Sequence, residues 1–163
     1  MRHQVGVDIA ADPDAAFAYL SDARNLVSWA FGAMQPLELT RDRCLSRSLV
    51  NGAQVEITPR PIPGRREVEF DSWNAGRSDC LVIRASVRPA PSGCRVTLSA
   101  ERPQGADDED WRLICAAHEI EARILRTRLE AEARATAARG AAERTPPGCS
   151  TAPRLSGDAS RVA

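Results

Sequence analysis

From His3 to Ile9 polar and apolar residues alternate, which sets Val5, Val7 and Ile9 on one face of an opening strand. Asp12-Pro13 follows, a side chain able to cap a helix and a proline suited to its first position. With Phe17 and Leu20 at helical spacing, the pattern predicts a short helix over about residues 13 to 22. Leu26, Trp29 and Ala30 predict a second one over 25–31, closed by Gly32.

Between Pro36 and Glu101 the pattern changes to short alternating runs, interrupted by Asn51-Gly52, Pro61 to Gly64, Asn74 to Gly76 and Pro89 to Gly93. Six hairpin-linked strands are predicted, at 36–41, 44–50, 53–59, 66–73, 79–88 and 94–101. Their apolar members give an inward set: Leu37 and Leu39, Leu45 and Leu49, Val55 and Ile57, Val68 and Phe70, Leu81 to Val87 by twos, then Val96 and Leu98. The other parity carries Glu56, Glu67, Glu69, Arg84, Arg88, Arg95 and Thr97, so the sheet is expected to be covered on one face only.

Residues 107–139 read as one long helix opened by the acidic run 107–110. Trp111, Ile114, Cys115, His118, Ala122, Leu125 and Leu129 recur at helical spacing and form the stripe that packs on the sheet. Leu113, Ile120 and Ile124 fall on a second apolar face, open to two readings: a wider core contact or the seam of a homodimer. From Gly140 onward Pro, Ser, Thr and Ala dominate without periodicity, so 140–163 is expected to be a disordered tail after a single domain, 1–139.

Composition narrows the function. Basic and acidic residues balance at 22 each, which leaves no overall field to attract nucleic acid. No run is long enough to span a bilayer and no basic-then-apolar leader opens the chain, so a cytoplasmic protein without membrane insertion is expected. Five cysteines without a Cys-x-x-Cys pair suggest reduced thiols rather than a zinc ribbon or disulfide framework. No metal site is expected, because a His-Glu-x-x-His motif would need histidine where Ala122 stands. Gly-x-Ser-x-Gly and phosphate-cradling glycine loops are also missing from the sequence.

The segment Ile9-Ala10-Ala11-Asp12-Pro13, then Phe17 to Asp22, Asn25 and Trp29, resembles the opening of bacterial SRPBCC proteins. That START-like, helix-grip superfamily includes polyketide cyclase/dehydrase-like and lipid-transport-like domains. The resemblance extends through about residue 130. It implies an α+β helix-grip fold: seven curved antiparallel strands around a long C-terminal helix, with two short helices after the first strand. It also implies a deep cavity for a hydrophobic or aromatic small molecule, with no cofactor, in a protein that either transforms its ligand or only carries or senses it.

His118, in the middle of the apolar stripe, is the leading candidate for chemistry. It could act as general base toward an enolisable carbonyl compound or donate to a ketone oxygen; the plainer alternative is a core histidine satisfied by a backbone carbonyl. Arg47 shares parity with Leu45 and Leu49, so its guanidinium is expected to point inward, toward a ligand carboxylate or phenolate. Tyr19, Trp29 and Trp111 are candidates to line the pocket mouth, although core packing explains them as well. Val68, Phe70, Ile83 and Cys115 complete the expected lining.

Overall fold

The computed structural model describes residues 1–75 and 80–144. Its elements follow the predicted order: β1 (Arg2–Ile9), α1 (Pro13–Leu20), a 3₁₀ turn (Ala23–Ser28), β2 (Gln35–Leu39), β3 (Cys44–Arg47), β4 (Gln54–Ile62), β5 (Glu67–Asn74), β6 (Cys80–Ala90), β7 (Gly93–Glu101) and α2 (Asp108–Arg144). The seven strands form one antiparallel sheet in the order β1-β7-β6-β5-β4-β3-β2. The chain thus has the α+β helix-grip architecture.

Local chemistry accounts for the turns. Asp12 Oδ1 accepts from Asp14 N at 2.9 Å and Ala15 N at 3.0 Å, capping the donors that α1 cannot satisfy internally. The second short helix differs from expectation. It starts two residues earlier, is 3₁₀, and ends before Trp29, because Asp22 Oδ1 caps Arg24 N at 3.0 Å. In the β3–β4 connection Gly52 takes a φ of +70°, and Asn51 Oδ1 accepts from Ala53 N at 3.1 Å. Gly93, at φ +138°, opens β7 beneath the end of β1; a Cβ there would collide with Ile9 O and Ala11 N.

One side of the sheet is wet, as expected. Its charges pair across strands: Arg60 with Glu69 at 2.9 Å and Asp71 at 2.7 Å, Arg84 with Glu69, Arg88 with Glu67 at 3.0 Å, and Arg95 with Asp8 at 2.9 Å. The other side meets α1 and α2 around Ile9, Leu20, Leu26, Val68, Phe70, Leu98, Leu125 and Leu129. Fully burying a side chain of this size stabilises the fold by about 1.5–3 kcal/mol, so this cluster fixes how α2 lies on the sheet.

Three expectations are corrected. The inward parity fails on β2 and β3. Leu37, beside a bulge, and Leu39 are exposed, while Cys44 and Ser46 are fully buried. Register with β4 decides this: Cys44 faces Ile57 and Ser46 faces Val55, which turns Leu45 and Arg47 to the other side. Strand β3 also ends at Arg47, so Leu49 lies in the following turn, its amide bonded to Phe31 O at 3.0 Å and its side chain exposed. Finally, α2 continues to Arg144, five residues past the expected boundary. The remainder of the expected tail, 145–163, lies outside the described residues. No helix among the described residues is long and apolar enough to cross a membrane.

Candidate functional site

Helix α2 crosses the concave face of the sheet without filling it. Between them lies a cavity of about 110 Å³, many times the roughly 10–15 Å³ that admits one water. Val55 and Ile57 of β4, Phe70 of β5 and Leu81 and Ile83 of β6 form its floor. Ile114, Ala117, His118 and Glu121 of α2 form its roof, and Leu26, Trp29, Ala30 and Gly32 close one side. Most of this wall is hydrocarbon, so the few polar atoms in it decide orientation.

Trp29 is 3% exposed and meets Phe70 edge-on, ring centroids 5.8 Å apart. Its indole Nε1 is buried without a hydrogen-bond partner among the described residues. Such a donor leaves part of its bonding capacity unused, at a cost of about 1–3 kcal/mol.

His118 is 3% exposed, and its Nδ1 likewise lacks a partner among the described residues. Burial, with a smaller contribution from His3, lowers its pKa to about 4. At neutral pH it is an uncharged imidazole, able to donate or accept one hydrogen bond at each nitrogen according to tautomer. No backbone carbonyl among the described residues bonds to that Nδ1.

Glu121, one helical turn further on, is 6% exposed. Its Oε1 accepts the amide hydrogen of Phe31 at 2.7 Å, tying α2 to the loop that carries Trp29. Burial raises its pKa to about 7, against a smaller lowering by the Phe31 hydrogen bond. Both protonation states are therefore populated near neutrality, the condition for proton exchange. In the sequence only helical spacing marks Glu121, which stands three after His118 and four before Leu125, on the same stripe.

Four of the nine expected residues, Trp29, Phe70, Ile83 and His118, line the cavity. Five do not. Val68 is buried in the core beyond it, and Tyr19 bonds to Ser28 Oγ at 2.6 Å. Trp111 is buried near the start of α2, and Cys115, on the flank of that helix, has a thiol pKa raised chiefly by burial. Arg47 is exposed on the opposite side, its Nη1 3.5 Å from Gly52 O, so the inward guanidinium is withdrawn. No cluster among the described residues has the composition to hold a metal ion.

No family model and no curated protein matches the chain. Solved structures do match. XoxI from Bacillus cereus is 14% identical with a TM-score of 0.62, over 78% of this chain and 94% of that one. The Aha1 dimer from Colwellia psychrerythraea is 14% identical with a TM-score of 0.59, over 80% and 96%. DynU16, from the dynemicin biosynthetic locus, is 14% identical with a TM-score of 0.59, over 79% of this chain but only 47% of that one. At such identities the likeness is one of fold, the helix-grip architecture.

Proposed function

We propose that the protein binds a hydrophobic or aromatic small molecule between the sheet and α2, and that Glu121 and His118 perform acid–base chemistry on it of the polyketide cyclase/dehydrase kind. The observation that carries the reading is that one titrating carboxyl residue, Glu121, and one neutral histidine, His118, both belong to the lining of a hydrocarbon cavity. Resemblance of the opening segment to SRPBCC proteins supports the same ligand class.

Roles follow from the two pKa values. Glu121 as carboxylate removes a proton next to a ligand carbonyl, and as acid returns one to a departing hydroxyl. His118 stays neutral and hydrogen-bonds the carbonyl oxygen on which charge develops. Ring closure of a poly-ketone requires orientation and proton transfer, both of which a shaped cavity supplies. A non-catalytic carrier or sensor is the second reading, favoured by the near-complete burial of both groups, which can orient a ligand while staying shielded from solvent protons.

Native mass spectrometry of the freshly purified chain tests the binding step. An added mass that disappears on denaturation, with release of an apolar compound, is expected; a bare protein that also ignores aromatic probes would refute it. With an accepted compound in hand, Glu121→Gln should reduce its conversion by about 10²-fold or more. Conversion unchanged in both Glu121→Gln and His118→Ala leaves the carrier reading standing alone.

A further inference from the structure

Solvent exposure falls steeply from one end of the cavity lining to the other. Leu113 of α2 is 47% exposed, and Asn51, in the turn between β3 and β4, is exposed too, yet both belong to the lining and so stand on its rim. Trp29, Phe70, His118 and Glu121, members of the same lining, are each no more than 6% exposed. Leu113 and Glu121 stand eight residues apart on one helix, which is about 12 Å along its axis. At the inner end the hydrogen bond from Phe31 N to Glu121 Oε1, 2.7 Å, ties α2 to the loop that carries Trp29. The cavity is thus a recess that runs inward along α2 from Leu113 to Glu121.

Polar groups occur at both ends, in different states. At the rim Ser48 Oγ accepts from Val50 N at 3.2 Å and Asn51 Oδ1 from Ala53 N at 3.1 Å, so the backbone of the turn already engages them. At the inner end His118 and Glu121 are almost fully buried, and His118 Nδ1 has no partner among the described residues. A buried polar group left unpaired is costly, whereas one at the rim is met by water. A ligand therefore gains most by carrying its polar atom to the inner end. Val55, Ile57 and Phe70 supply hydrocarbon for the rest of the molecule.

Given that the cavity is a ligand site, the reading on which this rests, we infer that it takes an elongated apolar molecule with its polar end inserted first, to His118 and Glu121, and its apolar tail directed outward past Leu113. Leu113 is then the residue that reads the length of the tail, while the inner pair reads the head. Short and long members of one compound class share the same inner contacts and differ only at the rim.

A homologous series of para-alkylphenols, from methyl to heptyl, tests this against the full chain by calorimetry. Affinity should rise about fourfold with each added methylene while the tail lies inside the recess, and stop rising once it passes Leu113. Leu113→Ala should weaken the longest members by about threefold or more and leave the shortest unchanged. His118→Ala should weaken every member by a similar factor. If that variant does not fold, the series on the unaltered protein and on Leu113→Ala, at a half-exposed position, decides the matter. An affinity that ignores chain length, or a Leu113→Ala effect as large on the shortest member as on the longest, overturns the inserted orientation while the pocket stands. Failure of every member to bind removes the pocket reading, and the orientation with it.

Discussion

The imidazoles of His3 and His118 stack with ring centroids 5.8 Å apart and planes inclined by 29°, joining the start of β1 to the middle of α2. His3 Nε2 and His118 Nδ1 are both buried without hydrogen-bond partners among the described residues. The pair is comfortable only while His118 is uncharged.

Stability should therefore respond to pH through His118. Its folded pKa of about 4 lies below the unfolded value of 6.5. As pH falls below 6.5 the unfolded chain takes the proton first, and stability drops until about pH 4. At about 1.4 kcal/mol per unit the full effect is on the order of 3 kcal/mol. Urea denaturation of Glu121→Gln, in which the opposing carboxyl is removed, should show stability rising with pH between 4 and 6.5.

Glu121 acts with the opposite sign. Its folded pKa of about 7 lies above the unfolded value of 4.5, so the folded state keeps a proton that the unfolded chain releases. That contribution is complete below pH 4.5 and is lost as pH rises through 7. In His118→Leu, denaturation midpoints should decline from pH 4.5 to 7, and a profile rising over that interval would contradict the burial of Glu121.

Neighbouring residues of β3 should differ sharply on truncation. Ser46 is fully buried and donates through Oγ to Gly32 O. Ser46→Ala leaves that carbonyl without this donor and should cost about 1–3 kcal/mol. Arg47→Ala, on the exposed side, should stay within about 0.5 kcal/mol and leave binding of any cavity ligand unchanged. The two midpoints, read in the same denaturant series, check the strand's orientation directly.

Phe70 is 2% exposed and supports the edge of Trp29. Phe70→Ala should destabilise the fold by about 3–5 kcal/mol. It should also alter the fluorescence of Trp29, whereas removal of the half-exposed Trp73 should leave stability nearly unchanged.

Much of the fold was legible because alternation, turn residues and the Asp12-Pro13 cap are local signals. The long strands β5 to β7 carry enough apolar positions for parity to be read from each alone, and Val68, Phe70, Ala85, Val87, Val96 and Leu98 are all buried as expected. Strand β3 has only four residues, and which of them face the core depends on pairing with β4. Leu45 drew the inward assignment by hydrophobicity, while the positions actually enclosed hold Cys44 and Ser46. His118 was found because histidine stands out in an aliphatic stripe. Glu121 was missed because a glutamate in a helix is ordinarily a solvated face, and only the tertiary hydrogen bond from Phe31 makes its burial tolerable.

The cross-strand ion pairs on the wet face have a chemical corollary. Every cation in them is a guanidinium, and the whole chain contains no lysine. Guanidinium groups keep their charge at any pH the fold tolerates. Acetylation of lysine side chains and amine-directed crosslinkers find no side-chain target anywhere in the 163 residues, so amine chemistry cannot erase the positive side-chain charge.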